Sequence, residues 1–139
     1  MTAIEIAERK AKWRAYGFLF LGALSIALMA LNIRGGSDFS HGLWLGVLAG
    51  SALSLTPVKR WLRPNSAVNR LLDDETTREY RYISCTTGFW AAAVAAIVLT
   101  VVSRSVDSLS AGNVAQIIAT AAMASAMVAF ATLELRAAR

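Results

Sequence analysis

The chain is 139 residues long, 56% of them hydrophobic and 17% charged, with a formal net charge of +5. That balance is too apolar for a soluble enzyme of this size and excludes a disordered tail, and the single cysteine excludes a disulfide scaffold. The apolar residues come in blocks and do not alternate one by one, which excludes a membrane β-barrel as well.

A helix needs roughly 20 apolar residues to cross about 30 Å of hydrocarbon. Four blocks approach or meet that length, 15–33, 39–56, 85–102 and 114–133, and none contains Asp, Glu, Lys or Arg. The expected fold is all-α: a single membrane domain, residues 1–139, built as a bundle of four transmembrane helices within the lipid bilayer. The second block is the shortest, with His41 near one end and Thr56-Pro57 at the other.

Lys and Arg near span ends mark the cytoplasmic side. The N-terminal arm holds Arg9, Lys10, Lys12 and Arg14, the segment 57–84 holds Lys59, Arg60, Arg63, Arg70, Arg78 and Arg81, and the C-terminus holds Arg136 and Arg139. Only Arg34 and Arg104 remain for the two short connections. Both termini and segment 57–84 are therefore expected in the cytoplasm, in a bacterial inner membrane. Glu5 and Glu8 in the arm, with no small-x-small cleavage site after the first block, separate that block from a signal peptide; it is expected to stay attached.

Taken in chain order, residues 2–13 are expected to form a helix leading into the first span, with Trp13 and Tyr16 at headgroup level. The second span carries Gly42, Gly46, Gly50 and Ser54 at intervals of four, a bare stripe on one helix face suited to close helix packing within the bundle or between subunits of a homo-oligomer. Ala92 with Ala96, and Ala121, Ser125 and Ala129, offer weaker versions on the third and fourth spans. VKRWLRP, 58–64, is expected to be a topology anchor, with contact to anionic headgroups as the alternative. From Asp73 onward no Pro intervenes, so one long helix is expected to start in the cytoplasm, capped by Asp73 or Asp74, and to continue as the third span. Ser110 is the expected cap of the fourth helix.

One His, one Cys and no Gly-rich phosphate loop leave no triad, Walker loop or dinucleotide fingerprint to assemble, so no catalytic activity and no cofactor are expected. The acidic run Asp73, Asp74, Glu75 and Glu79 lacks the His and second carboxylate cluster of a metal site, and its alternatives are a solvated helix start or a docking surface. His41, beside Asp38 and Ser40, is an interfacial residue or a titrating sensor. Cys85 is a small hydrophobe. No nucleic-acid reader motif is present, and topology accounts for the positive charge.

The run LLDDETTREYRYISCTTGFW, 71–90, resembles small four-span bacterial inner-membrane proteins of unassigned activity, in which an acidic DE, then Thr and Arg, precede a GFW opening the apolar block. Such proteins often accompany a small helix-turn-helix regulator, and the resemblance implies a membrane inhibitor that holds a transcription factor. The expected function is sequestration of a cytoplasmic regulatory partner through Arg70, Asp73, Asp74, Glu75, Arg78 and Glu79, together with the N-terminal arm. A structural accessory subunit of a larger membrane complex, or a small transporter or channel, are the alternatives.

Overall fold

A computed structural model of the chain describes residues 3–56, 75–103 and 110–137, with side chains from Arg9 onward. All regular structure among them is helical: α1 (Ala3–Ile33), α2 (Asp38–Leu55), α3 (Glu75–Val102) and α4 (Ala111–Ala137). Arg9–Ile33 of α1, α3 and α4 are each long and apolar enough to cross a membrane. α2 has 18 residues, which makes it about 27 Å long at 1.5 Å per residue, and its first turn is spent on Asp38, Ser40 and His41. The second expected span is thus the one whose apolar stretch falls short of the other three.

The termini of these helices follow from local chemistry. α1 runs unbroken from Ala3, so the N-terminal arm and the first apolar block are one rod. It stops where Gly35 takes φ +107°, a conformation that a Cβ would disfavour, and the Gly35 and Gly36 amides fold back onto the Asn32 carbonyl at 3.2 Å. Gly36 must also be bare, because a Cβ there would come within 2.5 Å of Asn32 Oδ1 and Ser40 Oγ. Ser37 caps α2, accepting from the Ser40 amide, and Asp38 adds negative charge at the positive end of the helix. α2 ends at Leu55, two residues before Pro57. The expected Ser110 cap is present, its Oγ accepting from the Asn113 amide at 3.1 Å. The expected caps Asp73 and Asp74, like Lys59, Arg60, Arg63, Arg70 and Arg104, lie outside the described residues.

α4 is the centre of the packing. It lies along both α1 and α3, while α2 leans on α1 and touches α4. In α4, 39% of the apolar window is buried by protein, against 28% in α1 and 6% in α3, so α3 is the least covered of these three. The buried line of α1 is Ala15, Phe18, Gly22, Ser25, Leu28 and Asn32, steps of three and four that keep one helix face inward. A core of Ala15, Phe18, Leu55, Ala126, Met127, Phe130 and Ala131, with Tyr80 packed against it, gathers all four helices at one end, called here the basic end. The opposite end, where α1 turns into α2, is the loop end.

Candidate functional site

The first turns of α3 carry the described part of the expected partner surface. Glu75, Arg78, Glu79 and Tyr82 are all exposed and fall within about 100° of one another around a helix of 3.6 residues per turn. Thr77 and Ser84 are buried and Tyr80 half-buried on the opposite face, which turns toward the core. The helix thus holds Glu75, Arg78 and Glu79 outward by turning Thr77, Tyr80 and Ser84 inward. Arg70, Asp73 and Asp74 lie outside the described residues.

Behind that surface, at the same end, Arg14 of α1 and Glu134 of α4 form an ion pair through Nη2 and Oε1, with Arg14 Nε donating to Glu134 Oε2 at 3.2 Å. The Glu134 side chain is 5% exposed and that of Arg14 28%. The guanidinium also sits 5.3 Å from the centroid of the Phe130 ring, which meets Phe18 edge-on at 5.2 Å. One cation therefore neutralises a buried carboxylate and stacks on an aromatic core, fixing α1 against α4. Arg14 is more than a topology signal, and Glu134, one residue past the fourth apolar block, does structural work that the pattern of blocks leaves invisible.

The glycine stripe of α2 behaves differently. Gly42, Gly46 and Gly50 are exposed, and a Cβ built on any of them would meet nothing within 4 Å. Ser54 spends its hydroxyl on the Gly50 carbonyl at 2.8 Å. Among the described residues, then, no helix of this chain packs on the stripe; α2 turns Trp44, Ser51 and Leu55 inward instead. Close backbone approach occurs elsewhere. At Gly88 of α3 a Cβ would lie 2.7 Å from the Ala122 carbonyl oxygen and 3.1 Å from Ala126 Cβ, and at Gly22 of α1 it would lie 3.8 Å from the Ala124 carbonyl oxygen. On α4 the residues beneath these glycines are Ala122, Ala124 and Ala126, not the expected Ala121, Ser125 and Ala129. Ser125 directs its hydroxyl to the carbonyls of Ala121 and Ala122 on its own helix.

Toward the loop end the polar groups pair across helices. Trp44 Nε1 donates to Thr120 Oγ1 at 3.0 Å, and Ser40 and Asn32 are hydrogen-bonded at 2.5 Å. His41 is exposed, with Nδ1 3.2 Å from the Ser37 carbonyl oxygen. The hydroxyls of Ser25, Ser51 and Ser84 each donate to a carbonyl three or four residues back on their own helix, and Thr120 does the same toward the Gln116 carbonyl while accepting from Trp44. Cys85 is exposed on α3. No family of proteins, no curated protein and no solved structure matches the chain.

Proposed function

We propose that the chain is a four-span protein of a bacterial inner membrane, with both termini and the start of α3 in the cytoplasm, that holds a cytoplasmic regulatory protein at the membrane. The observation that carries this reading is α3. Its 28 residues extend about 42 Å, some 12 Å more than the hydrocarbon requires. The excess lies at the basic end and presents Glu75, Arg78 and Glu79 outward. Twelve of the 14 Lys and Arg residues flank the spans on that same side, which is the pattern of cytoplasmic segments. α2, with an apolar stretch of about 21 Å from Gly42 to Leu55, would complete an even number of crossings where the bilayer thins around it.

The partner would be a cytoplasmic protein with a surface complementary to a mixed acidic and basic helix face, a helix-turn-helix regulator by the resemblance of 71–90. The test is co-purification in mild detergent of wild type against the reversal Glu75→Lys with Glu79→Lys. Loss of one cytoplasmic protein from the variant, with membrane insertion unchanged, supports sequestration. A second reading, an accessory subunit of a larger membrane complex, is favoured by two observations: α3 is 6% buried across its apolar window, and the α2 stripe is open. Retention of only integral membrane proteins, unaffected by the reversal, would select it.

A further inference from the structure

The outward face of α1 at the basic end carries a graded set of side chains. Trp13 is 71% exposed and Phe20 67%, with Tyr16 exposed between them and Arg9 one turn beyond Trp13. At 100° per residue these four positions fall within about 60° of arc, with Lys10 and Lys12 flanking them. Among the described residues no ion pair holds Arg9, Lys10 or Lys12, whereas Arg14, one turn closer to the core, is committed to Glu134. The three cations thus stand outward next to the aromatic collar, while the only paired cation of the arm points inward.

The axial spacing matches one kind of molecule. From Arg9 to Trp13 is about 6 Å and from Trp13 to Phe20 about 10 Å along the axis. A diacyl phospholipid arranges its phosphate, its glycerol esters and its upper acyl carbons in that order and on that scale. Indole N–H and phenol O–H donors suit the ester level, and a bare aromatic ring suits the acyl level. We propose that this face of α1 is a docking site for a phospholipid with a net negative headgroup, the phosphate held by Arg9 and Lys10, the esters against Trp13 and Tyr16, and an acyl chain along Phe20. The sign of the charge selects the headgroup: a zwitterionic lipid carries its own cation and gains little from a second one. Along the same helix Glu5 lies about one turn before Arg9, and Glu8 directly precedes it, about 100° around the axis from Arg9. The site lies on α1 and is independent of the α3 surface assigned to a protein partner.

The experiment is competition between phosphatidylglycerol and phosphatidylcholine for the detergent-purified full chain, read by native mass spectrometry and by melting temperature. Wild type should prefer phosphatidylglycerol, melt higher with it, and lose the preference in 0.5 M salt, since exposed charges are screened over about 4 Å or less at that strength. Arg9→Gln and Lys10→Gln should each weaken phosphatidylglycerol about five-fold, the equivalent of ~1 kcal/mol per cation at a membrane surface, and leave phosphatidylcholine unchanged. Trp13→Leu keeps every charge and should weaken both lipids. Equal binding of the two lipids by wild type would overturn the proposal, and so would an undiminished preference in the Arg9→Gln, Lys10→Gln double variant, because the charge would then act from elsewhere. Capture of an acidic cytoplasmic protein by the wild-type face, lost in that double variant and without any lipid preference, would assign the face to protein instead.

Discussion

Gly88 and Gly46 both lie inside apolar helices, and their surroundings could hardly differ more. At Gly88 the backbone of α4 is so near that a single added carbon would come within 2.7 Å of the Ala122 carbonyl oxygen; at Gly46 the same carbon would meet nothing within 4 Å. Gly46 belongs to the regular stripe, whereas Gly88 is the one glycine of its span, flanked by Thr87 and Phe89. A small residue makes close approach feasible without providing the partner that approaches, and in lipid the partner is chosen by packing because hydrophobic burial does not drive helices together. Regular spacing therefore marks a surface that can be packed, and a lone glycine can mark one that is.

Substitutions at the two kinds of glycine, and at the ion pair beside them, test this contrast. The largest effect is expected from Gly88→Leu. Its Cβ alone collides with backbone that cannot rotate away, so α3 must leave α4, the only helix it packs along extensively. A loss of 3 kcal/mol or more is expected, of the order of a severe overpacking, seen as failure to accumulate or a melting temperature lowered by well over 5 °C. An unchanged melting temperature would show that α3 and α4 are not in contact at this point.

Next comes Arg14→Ala, which strands a carboxylate that is 5% exposed and removes the cation from the Phe130 ring. About 2 kcal/mol should be lost, less than for a fully buried pair because the Arg14 side chain is 28% exposed. The double variant Arg14→Ala with Glu134→Ala should recover part of that loss, since no orphan charge remains. Measured as a thermodynamic cycle in detergent, additive losses would remove the pair from the structure.

Gly22→Ala is a milder probe of a real crossing. Its Cβ would find ordinary van der Waals neighbours at 3.8 and 3.9 Å, so a change of within about 0.5 kcal/mol is expected, with a gain as acceptable as a loss because alanine also restricts the unfolded chain. Gly46→Leu should change the stability of the isolated chain least of all. If the stripe serves a second protein chain, however, the leucine will abolish that association in crosslinking and size exclusion, and Leu45→Ala, one residue to the side, will not. No change in either property would leave the stripe facing lipid.

Much of the fold was legible because its determinants are local. The apolar blocks end within four residues of where α1, α3 and α4 end, the Ser110 cap sits beside its helix, and the continuity of α3 follows from the lack of any Pro between Glu75 and Val102. The exposed placement of Glu75, Arg78 and Glu79 was legible for the same reason, since charges on a helix approaching lipid turn away from the apolar residues beside them. What joins the helices was not legible. The Arg14–Glu134 pair and the Trp44–Thr120 bond link residues 120 and 76 positions apart, and both depend on the axial register of one helix against another. The one-residue offset on α4, Ala122 and Ala126 in place of Ala121 and Ser125, has that origin too: a rotation of about 100° moves a different set of small residues to the seam. A weak clue to the ion pair did exist, in an acid immediately beyond an apolar block whose nearest charges in sequence, Arg136 and Arg139, are both positive.

That pair also has a consequence for how the chain is assembled as it leaves the ribosome. Glu134 is made 120 residues after Arg14, so the Arg14 guanidinium stays unanswered while α2 and α3 are synthesised. α1 and α2, joined by the tight Gly35 turn, can settle as a hairpin early, but α4 is the hub on which α1 and α3 both rest, and it is synthesised after everything it must receive. The closing step therefore waits for α4, and a nascent chain interrupted before residue 134 would carry an open seam at its basic end.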